Sequence, residues 1–299
     1  MKVLKPVVFQ NSQLISTTAV NADANWSSAT TYSIGQKVSY QGKIYESLQN
    51  TNLNKTPSTN PTWWLDLGAT NQFAMFDQVV GTSTTATTSL TVVYAPGSVF
   101  NSVAFINVDA AVIKVTIRDG LSGPIVYENT AGLSGSNVTN WYDYFFSDPL
   151  LKRTQVVFSE IPPYVNAHIT IELKNSTGVA VSLSQFIAGD LASLGTSQYG
   201  ATAGIIDYSI KQTDEFGNTS FVKRAFSKRL SCNFNLDNSQ LNRVQNYLYS
   251  VRATPAVWVA SDSPQFEEAL VVYGFYKDFS TEISYPSFSQ CSIEIEGLT

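Results

Sequence analysis

With 299 residues, of which 14% are charged and 12% aromatic, the chain has the length for two substantial cores and a small module. It carries far less charge than the roughly 25% of an average globular protein, and its net charge of -5 comes from 18 basic and 23 acidic residues with no Lys/Arg stripe among the aromatics, which excludes a nucleic-acid-binding surface. No apolar run is long enough for a membrane helix, and Met1 to Pro6 lacks the apolar segment of a signal peptide, so the expectation is no membrane insertion and assembly in the cytoplasm.

Val3 to Phe9 and Gln13 to Val20 read as extended segments around a polar turn. They are too few to make a domain, so the strands of residues 1–24 are expected to pack with the C-terminal domain, where their backbone groups find partners. Residues 25–71 form an aromatic module: Trp26, Tyr32, Tyr40, Tyr45, Trp63 and Trp64 fall within it, including three of the 5 Trp. Val38 to Tyr45 predicts two short strands around a tight turn at Gly42.

Residues 72–194 change to Thr/Ser/Val alternation. Ile113, Val115 and Ile117 share one strand face opposite Lys114, Thr116 and Arg118, and Ala167 to Leu173 repeats the scheme. Period two of this kind means half-buried strands. Together with Thr87 to Tyr94, Ser102 to Asn107, Gln155 to Glu160 and Val179 to Ile187, they predict a β-sandwich.

A Gly/Ser/Thr-rich connector from Leu194 to Gly204 opens the C-terminal domain, residues 195–299. Leu230, Cys232, Phe234 and Leu236 alternate with polar neighbours, then Leu241, Val244, Leu248 and Val251 lie on one helical stripe before Pro255. A helix over about 238–252, capped by Asp237 or Asn238, is predicted to pack on a sheet. Strands are expected at Val257 to Ala260, Ala269 to Tyr276, Phe279 to Tyr285 and Cys291 to Ile295. Cys232 and Cys291 sit on inward strand faces and read as free buried thiols. The fold class is therefore mainly β: a small aromatic β module, a β-sandwich, and a C-terminal β domain with one packed helix.

No catalytic constellation emerges, and the protein is expected not to be an enzyme. The single histidine, His168, shares a strand face with Thr170 and Glu172. Glu267, Glu268 and Asp262 are the nearest approach to a glycosidase pair, but adjacent carboxylates on a loop are ordinarily solvated. Neither a His/Cys ligand cluster nor a Gly-rich phosphate loop is present, so no metal and no cofactor is expected. Lys223, Arg224, Lys228 and Arg229 form the nearest thing to a basic patch, read as a solvated or inter-subunit face. Low surface charge favours a subunit of an assembly, in contact with other copies of itself.

Two resemblances add to this. The order Tyr32, Gly35, Val38, Tyr40, Gly42, Tyr45, Pro57 and Trp63 or Trp64 resembles the small chitin-binding carbohydrate-binding modules of families 5 and 12, which implies sugar stacked on exposed aromatic rings. Tyr32, Trp63 and Trp64 are the candidate carbohydrate-binding residues, because Tyr32 follows a polar turn and two adjacent Trp cannot both point inward from an extended segment. The bland alternative is that the aromatics form the core of a domain too small to fill with aliphatic residues. The run from Trp64 to Asp77, with Ala269 to Phe279 and Cys291 to Leu298, is similar to a family of tailed-bacteriophage and prophage virion proteins. That likeness implies a structural component of the tail tip or baseplate, located in the virion and assembled in the host cytoplasm with other tail proteins. Host cell-surface glycan is then a partner to expect, and the alternative is a dedicated carbohydrate-binding adsorption protein.

Overall fold

The computed structural model describes residues 1–135, 141, 145, 151–213, 215–261, 263 and 266–298. The N-terminal segment contributes β1 (Lys2–Pro6) and β2 (Leu14–Thr17), and the aromatic module contributes β3 (Thr31–Tyr32), β4 (Lys37–Tyr40), β5 (Lys43–Ser47), β6 (Asn52–Leu53) and β7 (Trp64–Ala69). The sandwich follows with β8 (Thr84–Thr87), β9 (Ser89–Tyr94), β10 (Ser102–Asp109), β11 (Val112–Asp119), β12 (Ile125–Gly132), β13 (Ser134–Gly135), β14 (Leu151–Lys152), β15 (Gln155–Phe158), β16 (Ala167–Lys174) and β17 (Ala180–Ser193). The C-terminal part holds β18 (Thr196–Ser197), β19 (Thr202–Asp207), β20 (Ile210–Thr213), β21 (Thr219–Val222), β22 (Phe226–Asp237), helix α1 (Leu241–Ser250), β23 (Ala256–Val259), the single turn α2 (Glu267–Leu270), β24 (Val271–Glu282) and β25 (Phe288–Gly297). The protein is mainly β.

One sheet runs through both large units, in the order β15-β10-β17-β1-β23-β24-β25-β22-β18. The strand that joins its two parts is β1, which pairs antiparallel with β17 (Leu4↔Leu191) on one side and with β23 (Leu4↔Val257) on the other. Because successive residues of a strand face opposite ways, Val3 enters the core beneath helix α1, while Leu4 enters a separate cluster with Ile106, Ile187, Val257 and Tyr273. Both are fully buried. Where β17 leaves β10 for β1, Gly189 faces Lys5 so closely that a Cβ would lie 2.0 Å from the Lys5 carbonyl oxygen, so only glycine fits.

The second sandwich sheet has the order β12-β11-β16-β9-β2. Ile113, Val115 and Ile117 lie beside Leu173, Ile171 and Ile169 of the neighbouring strand β16 and share the sandwich core with Phe105 of the other sheet. The N-terminal segment is thus divided: β1 joins the C-terminal strands, whereas β2 pairs with β9 (Leu14↔Tyr94) in the sandwich. Strand β12 has no counterpart in the sequence reading, because as an edge strand its burial follows no alternation.

In the C-terminal part, Asp237 caps a short 3-10 turn by accepting from the Ser239 N–H at 2.8 Å, and α1 follows. Val244, Leu248 and Val251 lie in the same core as Leu230, Phe234, Ile293 and Trp258. Cys232 and Cys291 are free and buried in that core. Two expected strands at Ala269 to Tyr276 and Phe279 to Tyr285 are one strand, β24, with a bulge between Tyr276 and Asp278. Glu267–Leu270 is a helical turn packed against β15, β23 and β24.

Candidate functional site

Within the module, β4, β5 and β7 form a three-stranded sheet and β3 pairs with β6. The β4–β5 turn is made by Gln41 and Gly42, with φ of 50 and 81, the two positive values a two-residue hairpin needs. A Cβ on Gly42 would sit 2.9 Å from the Phe73 ring, and its carbonyl accepts from Thr70 N–H at 2.9 Å. The Asn11 amide donates to the Gln41 carbonyl at 2.7 Å. This hairpin is therefore seated on the body of the protein. The two chain crossings into the module are also clipped: the Gln72 amide donates to the Ala19 carbonyl at 3.0 Å, and the Asn71 amide donates to the carbonyls of Val20 (3.0 Å) and Thr85 (2.9 Å).

The core of the module is Tyr32, Val38, Tyr45 and Trp64. Trp64 is 2% exposed and Tyr32 8%, with their rings edge to face at 5.2 Å between centroids. The Trp64 Nε1–H donates to the Lys55 carbonyl at 2.7 Å, and the Tyr32 hydroxyl accepts from Ser27 N–H at 2.8 Å. These two candidates are corrected: they hold the module together and offer no ring face to a sugar. The reason is size, since a unit this small fills its interior with a few large rings.

Trp63 diverges from Trp64, as adjacency requires, and is half-buried at the edge of the core. The Lys55 ammonium lies 5.5 Å from the centroid of its ring, within cation–π range. Trp26 and Tyr40 are likewise half-buried and stand edge to face at 5.3 Å. The Trp26 Nε1–H is buried and has no acceptor among the described residues. The sequence reading left the module's aromatics open between core packing and sugar stacking. Tyr40 shares its strand parity with Val38, and that pattern could not show that it lies at the rim.

Residues 25–65 match carbohydrate-binding module family 5/12. The match covers the hairpin, the buried rings of Tyr32, Tyr45 and Trp64, and Trp63. No curated protein is similar enough in sequence to match. Among solved structures, a similar chain is chitosan-binding module 1 derived from a chitosanase/glucanase of Paenibacillus sp. IK-5, at 12% identity and a TM-score of 0.27, covering 40% of this chain and 83% of that one. A likeness of that degree carries no argument.

The carboxylates at Glu267 and Glu268 both have specific partners, Glu267 largely withdrawn from solvent and Glu268 still exposed. Glu267 accepts from Val157 N–H at 3.0 Å and pairs with Arg153, while Glu268 accepts from Thr154 N–H at 3.0 Å. Strand β15 ends the large sheet, so these acids occupy the donors of a free strand edge. Burial pushes the Glu268 carboxyl up, but the Thr154 hydroxyl and N–H with the Lys228 ammonium outweigh it and hold it below the ordinary carboxylate value. Burial pushes the Lys228 amine down against the pull of Glu268, to whose carbonyl it donates at 2.7 Å. Of the basic patch, Lys228 is thus tied to Glu268 and Arg229 to Glu294. Asp262 lies outside the described residues. His168 is on the outer face of β16, with Nδ1 3.0 Å from the Asn166 carbonyl.

Proposed function

We propose that this chain is a structural protein of a bacteriophage tail tip or baseplate that assembles in several copies and displays a saccharide-binding module toward the host surface. The observation that carries the binding half is Trp63, partly exposed beside a buried Trp64 in a unit matching a carbohydrate-binding family. The tail half is supported by the likeness of the runs ending at Asp77, Phe279 and Leu298 to virion proteins.

The module binds weakly and without chemistry; the protein is a binding and structural component, not an enzyme, and needs no cofactor. One stacked ring gains about 1 kcal/mol beyond area burial, which leaves a single module near millimolar affinity. Several copies in one particle make later contacts intramolecular, and avidity then exceeds single-site affinity by roughly two to four orders of magnitude. Clipped chain crossings hold each module in a fixed direction, which simultaneous engagement requires.

The test is retention of intact virions on host glycan with wild-type protein and with Trp63→Ala. Reduced retention with normal tails supports the reading; unchanged retention overturns the binding half. A map of the tail lacking this chain overturns the virion half, and a map placing it only at the distal tip, with other proteins forming the ring, favours the dedicated adsorption alternative.

A further inference from the structure

Lys55 and Trp63 stand at the two ends of one closed loop of the module. Asn54 turns the chain with a φ of 53 just before Lys55, and the Trp64 Nε1–H holds the Lys55 carbonyl at 2.7 Å. At the other end the Asn60 carbonyl accepts from the N–H groups of Trp63 (3.0 Å) and Trp64 (3.1 Å), while the Asn60 amide donates to the Thr56 carbonyl at 2.9 Å. Pro57, between these ends, is buried. The backbone under both side chains is thus fixed, and it brings the Lys55 ammonium to 5.5 Å from the centre of the Trp63 ring.

The charge of this ammonium is not spent elsewhere. Residues 25–71 hold three lysines and two acids, in a chain whose net charge is -5. Lys43 pairs with Asp66 at 2.7 Å, and Lys37 stands opposite Glu46 in the β4–β5 register. Lys55 is the cation left over. Among the described residues it forms no ion pair, and its ammonium has the Trp63 ring as its partner.

That position discriminates between ligands. A neutral sugar laid on the ring has to push the ammonium aside and forfeits the cation–π attraction. A sugar bearing a carboxylate or phosphate keeps the ammonium at its edge, where an N–H with no other acceptor makes a charge-assisted hydrogen bond.

We propose that the saccharide site of the module takes an anionic saccharide, with the Trp63 ring as the stacking platform and Lys55 as the residue that selects the acid group. The inference rests on the saccharide-binding reading above and names its ligand class. One charge-assisted hydrogen bond favours the anionic ligand by about tenfold. Salt reduces the preference, because charges at the surface are screened.

The experiment uses the full chain and three probes that differ only at the sugar C6: glucose, glucuronate and glucose 6-phosphate, each coupled at equal density to one neutral polymer. Binding is measured at low and high salt for wild type, Lys55→Gln and Lys55→Arg, with melting recorded for each. The expected result is that wild type prefers one or both acidic probes to glucose by about tenfold or more, that Lys55→Arg keeps the preference, and that Lys55→Gln and high salt each bring the probes close to parity. Which acidic probe leads identifies the acid group as carboxylate or phosphate. Glucose bound as tightly as both acidic probes, or a preference that Lys55→Gln leaves unchanged, overturns this inference and leaves the saccharide-binding reading intact. The salt series on wild type reads the same charge without a substitution, so a preference indifferent to salt overturns it as well. Binding of none of the three probes overturns both readings.

Discussion

The Glu267 carboxylate accepts a hydrogen bond from the Val157 N–H at 3.0 Å, closing with a side chain the strand edge that another sheet would close with a strand. Its other oxygen pairs with Arg153, and the Glu267 side chain is only 14% exposed. Glu267→Ala leaves a strand donor and a partly buried guanidinium without their acceptor, and is expected to destabilise the fold by about 2 kcal/mol. Glu267→Gln, which keeps an acceptor, should lose less. Equal losses in urea unfolding would show that the charge alone matters.

Trp63 and Trp64 separate binding from folding. Trp64→Ala should lower the stability of the module by about 3–5 kcal/mol, enough to unfold a unit of this size, with loss of its part of the near-ultraviolet circular dichroism. Trp63→Ala should leave that signal in place and abolish saccharide binding. If Trp63→Ala unfolds the module as well, the ring belongs to the core and the binding assignment fails.

Leu4 ties two units together. Leu4→Ala should destabilise the protein by about 2–5 kcal/mol, and the loss should appear in both the sandwich and the C-terminal unit, because β1 pairs with β17 and β23 at once. Hydrogen exchange checks it: faster exchange confined to one side of β1 would contradict the shared role. By the same argument a fragment starting at Ile205 lacks β1 and should fold poorly, whereas cooperative unfolding of that fragment would count against it.

Acid should loosen the β15 edge. The Glu268 carboxyl is held below its ordinary value of 4.5. A depressed folded-state pKa contributes stability that is present above the unfolded value and is lost as pH falls through the folded one. Melting followed downward from pH 5 should therefore fall more steeply for wild type than for Glu268→Gln. Parallel curves would remove Glu268 from the acid response.

How much was legible varied by element. Helix α1 was predicted from the stripe Leu241, Val244, Leu248 and Val251, because a helix satisfies its backbone locally, while the expected cap at Asp237 holds the 3-10 turn before it. β11 and β16 were legible for the same reason of periodicity, with Ile113, Val115, Ile117 and Ile169, Ile171, Leu173 all fully buried. β12 was not, since an edge strand needs no alternation. At the site, the adjacency of Trp63 and Trp64 forced one ring out but could not say which, and the polar turn before Tyr32 pointed the wrong way.

By itself, then, the sequence determined the mainly β class, the hairpin at Gly42, helix α1 and the aromatic unit, each set by residues near one another in the chain. Only the tertiary structure decided that β1 lies between β17 and β23 while β2 goes to β9, that Tyr32 and Trp64 are core, and that Glu267 and Glu268 seal an edge. Those outcomes depend on which strand meets which. Backbone hydrogen bonding is the same for every residue except proline, so a strand's own pattern records which face is buried and leaves its neighbour unnamed.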